Sequence, residues 1–169
     1  SSVIGCRKTT GGETRKYWTG GKNFWCQPGR YICVIDMACN KGKRTVNKKL
    51  IELAARVGIE MTAEQSAVFI IYMETLLEYN KHTNLTAITD QTEILEKHFI
   101  DSLLLSKAYQ LKQQAKIADI GAGAGFPGVP NLIMRPDLQL TIIESAGKRL
   151  HFLETLCDTL KIKISLWHL

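Results

Sequence analysis

Asp119-Ile-Gly-Ala-Gly-Ala-Gly-Phe-Pro-Gly128 constrains this 169-residue chain more than any other stretch, because three alternating glycines follow directly on a short apolar strand. Lys116-Ile-Ala-Asp-Ile120 alternates as a buried strand does, and the glycines begin at its carboxyl end. Val129-Pro-Asn-Leu-Ile-Met-Arg135 is helix-forming, with Pro127 and Pro130 tolerated near a first helical turn. Strand, glycine loop and helix in that order bring bare backbone against a ligand at a helix N-terminus. A second strand, Leu138-Gln-Leu-Thr-Ile-Ile-Glu144, ends on a carboxylate 23 residues after Gly121. A parallel α/β sheet places an acid there to accept hydrogen bonds from two ribose hydroxyls. The pattern predicts a site for an adenosine-containing cofactor.

Glycine spacing decides which one. A dinucleotide fingerprint needs G-x-G-x-x-G, whereas Gly121, Gly123 and Gly125 alternate and position 126 is Phe. Asp119, two residues before the first glycine, would repel a pyrophosphate and attract a cation. S-adenosylmethionine carries an ammonium, a sulfonium and a ribose, so Asp119 and Glu144 suit it better than NAD. The candidate cofactor-binding set is Asp119, Gly121, Gly123, Gly125, Phe126 and Glu144.

Upstream, helical order is expected from Asn47 as an N-cap, with Leu50, Leu53, Ala54 and Val57 on one face and Gly58 as the stop. Thr62 with Gln65 forms a capping box for a second helix, whose stripe includes Val68, Tyr72, Leu76 and Tyr79. Asp90 with Glu93 starts a third helix carrying Ile94, Leu95, His98 and Phe99, and a further helix is expected over 102–110. After Glu144, residues 147–160 read as an amphipathic helix with Leu150, Leu153, Leu156, Cys157 and Leu160 inward. Lys161-Ile-Lys-Ile-Ser-Leu166 then alternates as a third strand.

Several separated blocks carry a family resemblance. Asp119-Ile-Gly-Ala-Gly-Ala-Gly-Phe-Pro-Gly-Val-Pro130, Arg135-Pro-Asp137 and Glu144-Ser-Ala-Gly-Lys-Arg149 closely resemble the bacterial small-subunit ribosomal RNA guanine-N7 methyltransferase G family, also called glucose-inhibited division protein B. Tyr79-Asn-Lys-His-Thr-Asn-Leu-Thr-Ala-Ile88 and His98-Phe-Ile-Asp-Ser-Leu103 resemble its N-terminal helical signature, and the likeness runs from about Asn47 to about Ile162. The resemblance implies an α/β fold: an N-terminal helical cap, then the first half of a Rossmann-like methyltransferase sheet, three parallel strands with flanking helices. It implies S-adenosylmethionine as cofactor and methyl transfer to N7 of a guanine in 16S ribosomal RNA. Because N7 carries an in-plane lone pair and no proton, this transfer needs no general base, so no catalytic residue is assigned beyond positioning. Asn84, His98, Lys148 and Arg149 are candidate contacts to substrate RNA, each weighed against a structural role: a turn for Asn84, helix packing for His98 (with Asp101 on the same face), solvated charge for the two cations.

Charge is uneven. Residues 1–49 carry a net +9 and residues 50–169 a net −3, so the overall +6 belongs to the segment outside the resemblance. RNA affinity in the remainder falls to a local patch, with Lys148, Arg149, Lys161 and Lys163 the nearest candidates. The domain reading is 1–46 as a basic extension outside the family and expected to be disordered, 47–115 as the helical cap, and 116–169 as a truncated S-adenosylmethionine-binding α/β domain. Within 1–46 only Tyr31-Ile-Cys-Val-Ile35 reads as a strand, and the segment is expected to be upstream sequence translated in frame. Cys6, Cys26, Cys33 and Cys39 form no close C-x-x-C pair and have no neighbouring His, which predicts free thiols and no metal. No run of eighteen apolar residues occurs and no signal-peptide pattern opens the chain, so the expectation is a cytoplasmic protein, monomeric by default, with 16S ribosomal RNA or the small ribosomal subunit as partner and no membrane.

The chain departs from the family in supplying three of seven expected strands and lacking its later Arg-Ala motif; Ser165-Leu-Trp-His-Leu169 does not match the family's continuation. A frameshift or premature stop would produce that ending, and the expectation is a chain inactive as it stands. Two other functions compete: an NAD-type oxidoreductase fragment, disfavoured by Phe126 after Gly125, and a non-enzymatic basic nucleic-acid-binding fragment driven by residues 1–49.

Overall fold

The computed structural model describes residues 5–7, 15–19 and 22–26 as backbone strands and residues 41–169 continuously, with side chains from Gly42 onward. Two compact units divide the chain after Asp36. In the first, β1 (Gly5–Arg7), β2 (Arg15–Thr19) and β3 (Lys22–Cys26) form an antiparallel sheet in the order β1-β2-β3. The register pairs Gly5 with Trp18 and Thr19 with Lys22. The expectation of disorder over 1–46 rests on its lack of sustained apolar periodicity. The two paired runs, Arg15-Lys-Tyr-Trp-Thr19 and Lys22-Asn-Phe-Trp-Cys26, are rich in the aromatic residues that favour strands. The strand expected at 31–35 lies outside the described residues.

The second unit begins with α1 (Lys41–Arg56), six residues before the expected N-cap. Asn47 lies inside the helix, and its backbone and side-chain carbonyl oxygens both accept from the Ser66 hydroxyl. Lys43 pairs with Glu74 at 2.8 Å and Val46 packs on the core. The first turns of α1 are therefore held by tertiary contacts that no local capping rule registers. α2 (Ala63–Thr83) opens with the expected Thr62–Gln65 capping box and ends at Asn84, whose left-handed conformation (φ 50°) closes the helix.

Residues 91–108 form one continuous helix, α3, where two were expected. An α-turn (Gln91–Glu93) capped by Asp90 passes into a π-helical stretch (Ile94–Ile100) and returns to α-helix (Asp101–Ala108). Tyr109 is already extended, so the helix stops two residues early.

β4 (Lys116–Ile120), α4 (Gly128–Met134), β5 (Gln139–Glu144), α5 (Gly147–Leu160) and β6 (Ser165–His168) complete a parallel sheet in the order β4-β5-β6. Two successive crossovers that step in one direction put both helices on one face. That face buries Leu140, Ile142 and Glu144 of β5. The third strand starts four residues later than its alternation suggested. Lys161 adopts a left-handed conformation (φ 56°) at the end of α5, and the Ile162 N–H returns to the Cys157 carbonyl. Residues 161–164 are thus spent on leaving the helix, although Ile162 and Ile164 still pack inward.

Phe152, absent from the expected inward set, is fully buried beside Leu153, Leu156 and Leu160, and its ring meets Tyr79 edge-on at 5.2 Å. Leu150 and Cys157 are only half-buried. Burial pushes the Cys157 thiol up to about 11, with Asp158 and Glu154 adding to the shift. Arg135-Pro-Asp137 shapes the entry to β5: the guanidinium donates to both carboxylate oxygens at 2.7 and 2.8 Å, and the Gln114 N–H donates to the same carboxylate at 2.9 Å. This block serves the amino ends of the strands, away from the glycines.

On the opposite face, Ile120, Ile143 and Trp167 stand in register across the sheet. Ile120 is 74% and Trp167 63% exposed. The two faces differ in what they contribute. Phe152→Ala should cost about 3–5 kcal/mol in urea unfolding. Trp167→Ala should cost less than about 1 kcal/mol. Equal losses would contradict this assignment of the core.

Candidate functional site

The carboxyl ends of β4 and β5 meet at the glycine loop. The Gly121 N–H extends the ladder by donating to the Ile143 carbonyl at 2.8 Å, after which the chain turns away from the sheet. Gly121, Gly123 and Gly125 all have positive φ (76°, 60° and 95°), a region other residues enter only with strain. Alternation of glycine is thus a backbone requirement of the turn.

The three do not face the same surroundings. A Cβ on Gly121 or Gly123 would meet no heavy atom within 4 Å, so these two leave the loop open. A Cβ on Gly125 would lie 2.7 Å from the Tyr72 hydroxyl and 3.0 Å from a Val129 methyl. Gly125 is small because the core closes on it. Gly128, not among the expected set, is equally confined: a Cβ there would lie 2.6 Å from Asp119 Oδ2 and 3.0 Å from Leu140.

Glu144 is 2% exposed, and each of its oxygens takes one backbone N–H. Oε2 accepts from the Gly123 N–H and Oε1 from the Ala146 N–H, each at 3.0 Å. Arg149 Nη1 stands 3.9 Å from Oε1. Burial pushes this carboxyl upward, but the hydrogen bonds from Ala146 and Gly123, with the Arg149 charge, hold it below its ordinary value. Each oxygen retains a second acceptor direction, which is what a ribose hydroxyl needs.

Asp119 accepts from the Gly128 N–H at 2.8 Å. Burial raises its pKa, the Gly128 bond opposes the rise, and the negative Glu144 adds to it. The two acids thus set negative charge beside open backbone at the strand ends, suited to hydroxyls and a cation and hostile to a pyrophosphate. The residues fit S-adenosylmethionine.

Phe126 lies beyond the glycines and is held by three rings. His98 stacks on it with centroids 4.6 Å apart and planes at 12°, Tyr72 lies at 5.3 Å and 8°, and Phe99 is tilted at 6.0 Å. Tyr72 donates to the Ala124 carbonyl at 2.5 Å. Burial first, then the Asp119 charge, keeps its hydroxyl protonated far above neutral pH. Asn131 donates to both the Ser102 and Pro127 carbonyls, tying α3 to the loop. Sequence reading placed Tyr72 in a helical stripe and passed over Asn131, because their partners stand 52 and 29 residues away in the chain. No local pattern marks such contacts.

The RNA candidates do not converge. Asn84 ends α2, with its N–H returned to Asn80. His98 lies against the loop, and its pKa is lowered by burial despite the nearby Asp101 charge. Arg149 reaches the crevice at Glu144, and Lys148 is exposed at the start of α5.

The profile of a family described as rRNA small subunit methyltransferase G matches residues 65–168. Curated relatives carry the name Ribosomal RNA small subunit methyltransferase G. One from Acholeplasma laidlawii is 45% identical over 66% of this chain and 49% of its own length. Those from Clostridium botulinum (43%; 68% and 48%) and Lachnoclostridium phytofermentans (42%; 72% and 51%) are similar. The chain spans about half the length of the curated relatives it matches.

Gly125→Ala should lower unfolding stability by about 1–3 kcal/mol more than Gly121→Ala, because only the former overpacks the core. Equal losses in thermal or urea unfolding would mean that backbone strain alone governs both positions.

Proposed function

Because the chain belongs to the rRNA small subunit methyltransferase G family, we propose that its crevice binds S-adenosylmethionine and serves methyl transfer to N7 of a guanine in 16S ribosomal RNA. The observation that carries this is the pair of carboxylates at the ends of β4 and β5, with Gly121 and Gly123 open between them. Glu144 offers its remaining acceptor directions to the ribose hydroxyls. Asp119 offers negative charge to the ammonium end, and the bare backbone of Gly121 and Gly123 permits close approach. Phe126 walls one side of the loop.

Bound there, the cofactor supplies a methyl to guanine N7, whose lone pair forms the new bond while the sulfur keeps the electrons and no proton leaves. The protein's own part is therefore to bind, orient and exclude water, which agrees with a crevice that presents acceptors and no acid–base pair. Arg149, beside Glu144, and Lys148 on the next position of α5 are the cations nearest the crevice for the approach of RNA phosphates. We place the work in the cytoplasm, on the small subunit or its RNA, with the protein as a monomer. Among the described residues no helix is long and apolar enough to cross a membrane.

Calorimetric titration of the chain with S-adenosylmethionine tests the reading, with NAD as the competing ligand. Binding of the former and none of the latter is expected; the reverse would favour a dinucleotide enzyme. Glu144→Ala should weaken S-adenosylmethionine about ten- to hundredfold, the loss expected for hydrogen bonds to a charged acceptor. Unchanged affinity would remove Glu144 from the site.

Acidity provides a separate test. A cation prefers ionised Asp119, whose pKa is raised, so affinity should fall as the pH drops through that raised value. Glu144, with its lowered pKa, stays charged through the same window. Asp119→Asn should flatten the profile, and a wild-type profile that is already flat would contradict the role given to Asp119.

A further inference from the structure

His98 belongs to the helical cap, yet its ring is pressed on the cofactor loop. We propose that His98 is a positioning residue for cofactor binding: clamped by Thr86, its ring holds Phe126, and with it the far side of the glycine loop, in the shape that receives the cofactor. The proposal rests on the cofactor reading above and adds a residue to it.

Three observations converge on this. The first is the fixing of the ring itself. His98 Nε2 lies 2.9 Å from Thr86 Oγ1. Thr86 is gripped in turn by Asn80, whose amide donates to the Thr86 carbonyl and accepts from the Thr86 N–H, both at 2.9 Å. Asn80 is a buried polar side chain of α2, so the clamp is anchored in the cap and not in solvent.

The second is the stack. His98 and Tyr72 both lie nearly parallel to Phe126, but Tyr72 has a separate hold on the loop through the Ala124 carbonyl. The loop is thus fixed at Ala124 by a hydrogen bond and at Phe126 by ring contact. His98 is the closest of the three rings on Phe126.

The third is the local backbone. His98 sits in the π-helical stretch of α3, and both it and the next residue, Phe99, touch Phe126. Departures of this kind from α-helix are uncommon and concentrate at functional sites. A histidine that only filled space would need neither a half-buried, backbone-gripped partner for its nitrogen nor an altered helix to reach the loop.

The test uses the full chain and three variants, with two readouts. Amide hydrogen exchange over residues 121–126, without ligand, reports the hold on the loop. Calorimetry with S-adenosylhomocysteine reports the consequence for binding. His98→Ala should speed exchange across 121–126 and weaken binding, each by roughly three- to tenfold, the worth of one ring stack, while exchange over 147–160 stays unchanged. His98→Phe keeps a flat ring and should restore both readouts to within about twofold. Thr86→Val frees the ring and should move both in the same direction as His98→Ala, but less.

Unchanged exchange in His98→Ala, failure of His98→Phe to restore it, or a rise that includes 147–160 would each overturn the proposal, the last by showing a general loss of structure. If the wild-type chain binds no S-adenosylhomocysteine, the cofactor reading fails and the positioning role falls with it. Binding by the wild type with no loss in His98→Ala overturns the positioning role alone.

Discussion

Glu144 ties the Gly123 N–H of the loop to the Ala146 N–H before α5 through one carboxylate that is 2% exposed. Neither of those N–H groups belongs to a regular ladder, and a buried unpaired donor costs about 1–3 kcal/mol. A neutral side chain of the same length could not satisfy both as a charged acceptor does. The carboxylate thereby fixes where the loop leaves β4 and where α5 begins. It also keeps negative charge at the point where two parallel strands end, the position at which sheets of this kind receive ligands.

That local tie works because the surroundings limit how the loop can move. Gly125 and Gly128 have no space for a side chain, so α4 and the core close directly against the loop and against Asp119. Tyr72 grips the Ala124 carbonyl, and Asn131 grips that of Pro127. Gly121 and Gly123 are left as the open part, between two acids. The glycines thus divide: two leave the loop open and two are confined by the core. Negative charge held rigidly at the strand ends favours a cation over a pyrophosphate, which is the electrostatic basis of the proposed cofactor.

How much of this could be read from residues depended on how local the cause was. The capping box at Thr62, the strand–loop–helix order after Lys116, the span of α5 and the placing of Glu144 all follow from short-range pattern, and each is found in the structure. Failures came where distant contacts decide. Lys41 to Val46 join α1 through Glu74 and the core, so a cap placed at Asn47 was too late. The break expected before Ser102 is absent because a π-helical stretch carries the chain through. The start of β6 was set too early because the alternation of Lys161 to Ile164 persists through the exit from α5. Gly125 was grouped with its neighbours on spacing alone, and only the closeness of Tyr72, Val129 and Leu153 separates it from them. The strands at 15–19 and 22–26 were not anticipated, because neither run carries a sustained apolar alternation.

A crystal structure of the chain with S-adenosylhomocysteine tests the central claim most directly. The account predicts the ribose hydroxyls within hydrogen-bonding distance of Glu144, about 2.5–3.0 Å, with the amino-acid end over Gly121 and Gly123 toward Asp119. A ligand seated elsewhere on the chain, or a ribose turned away from Glu144, would contradict it.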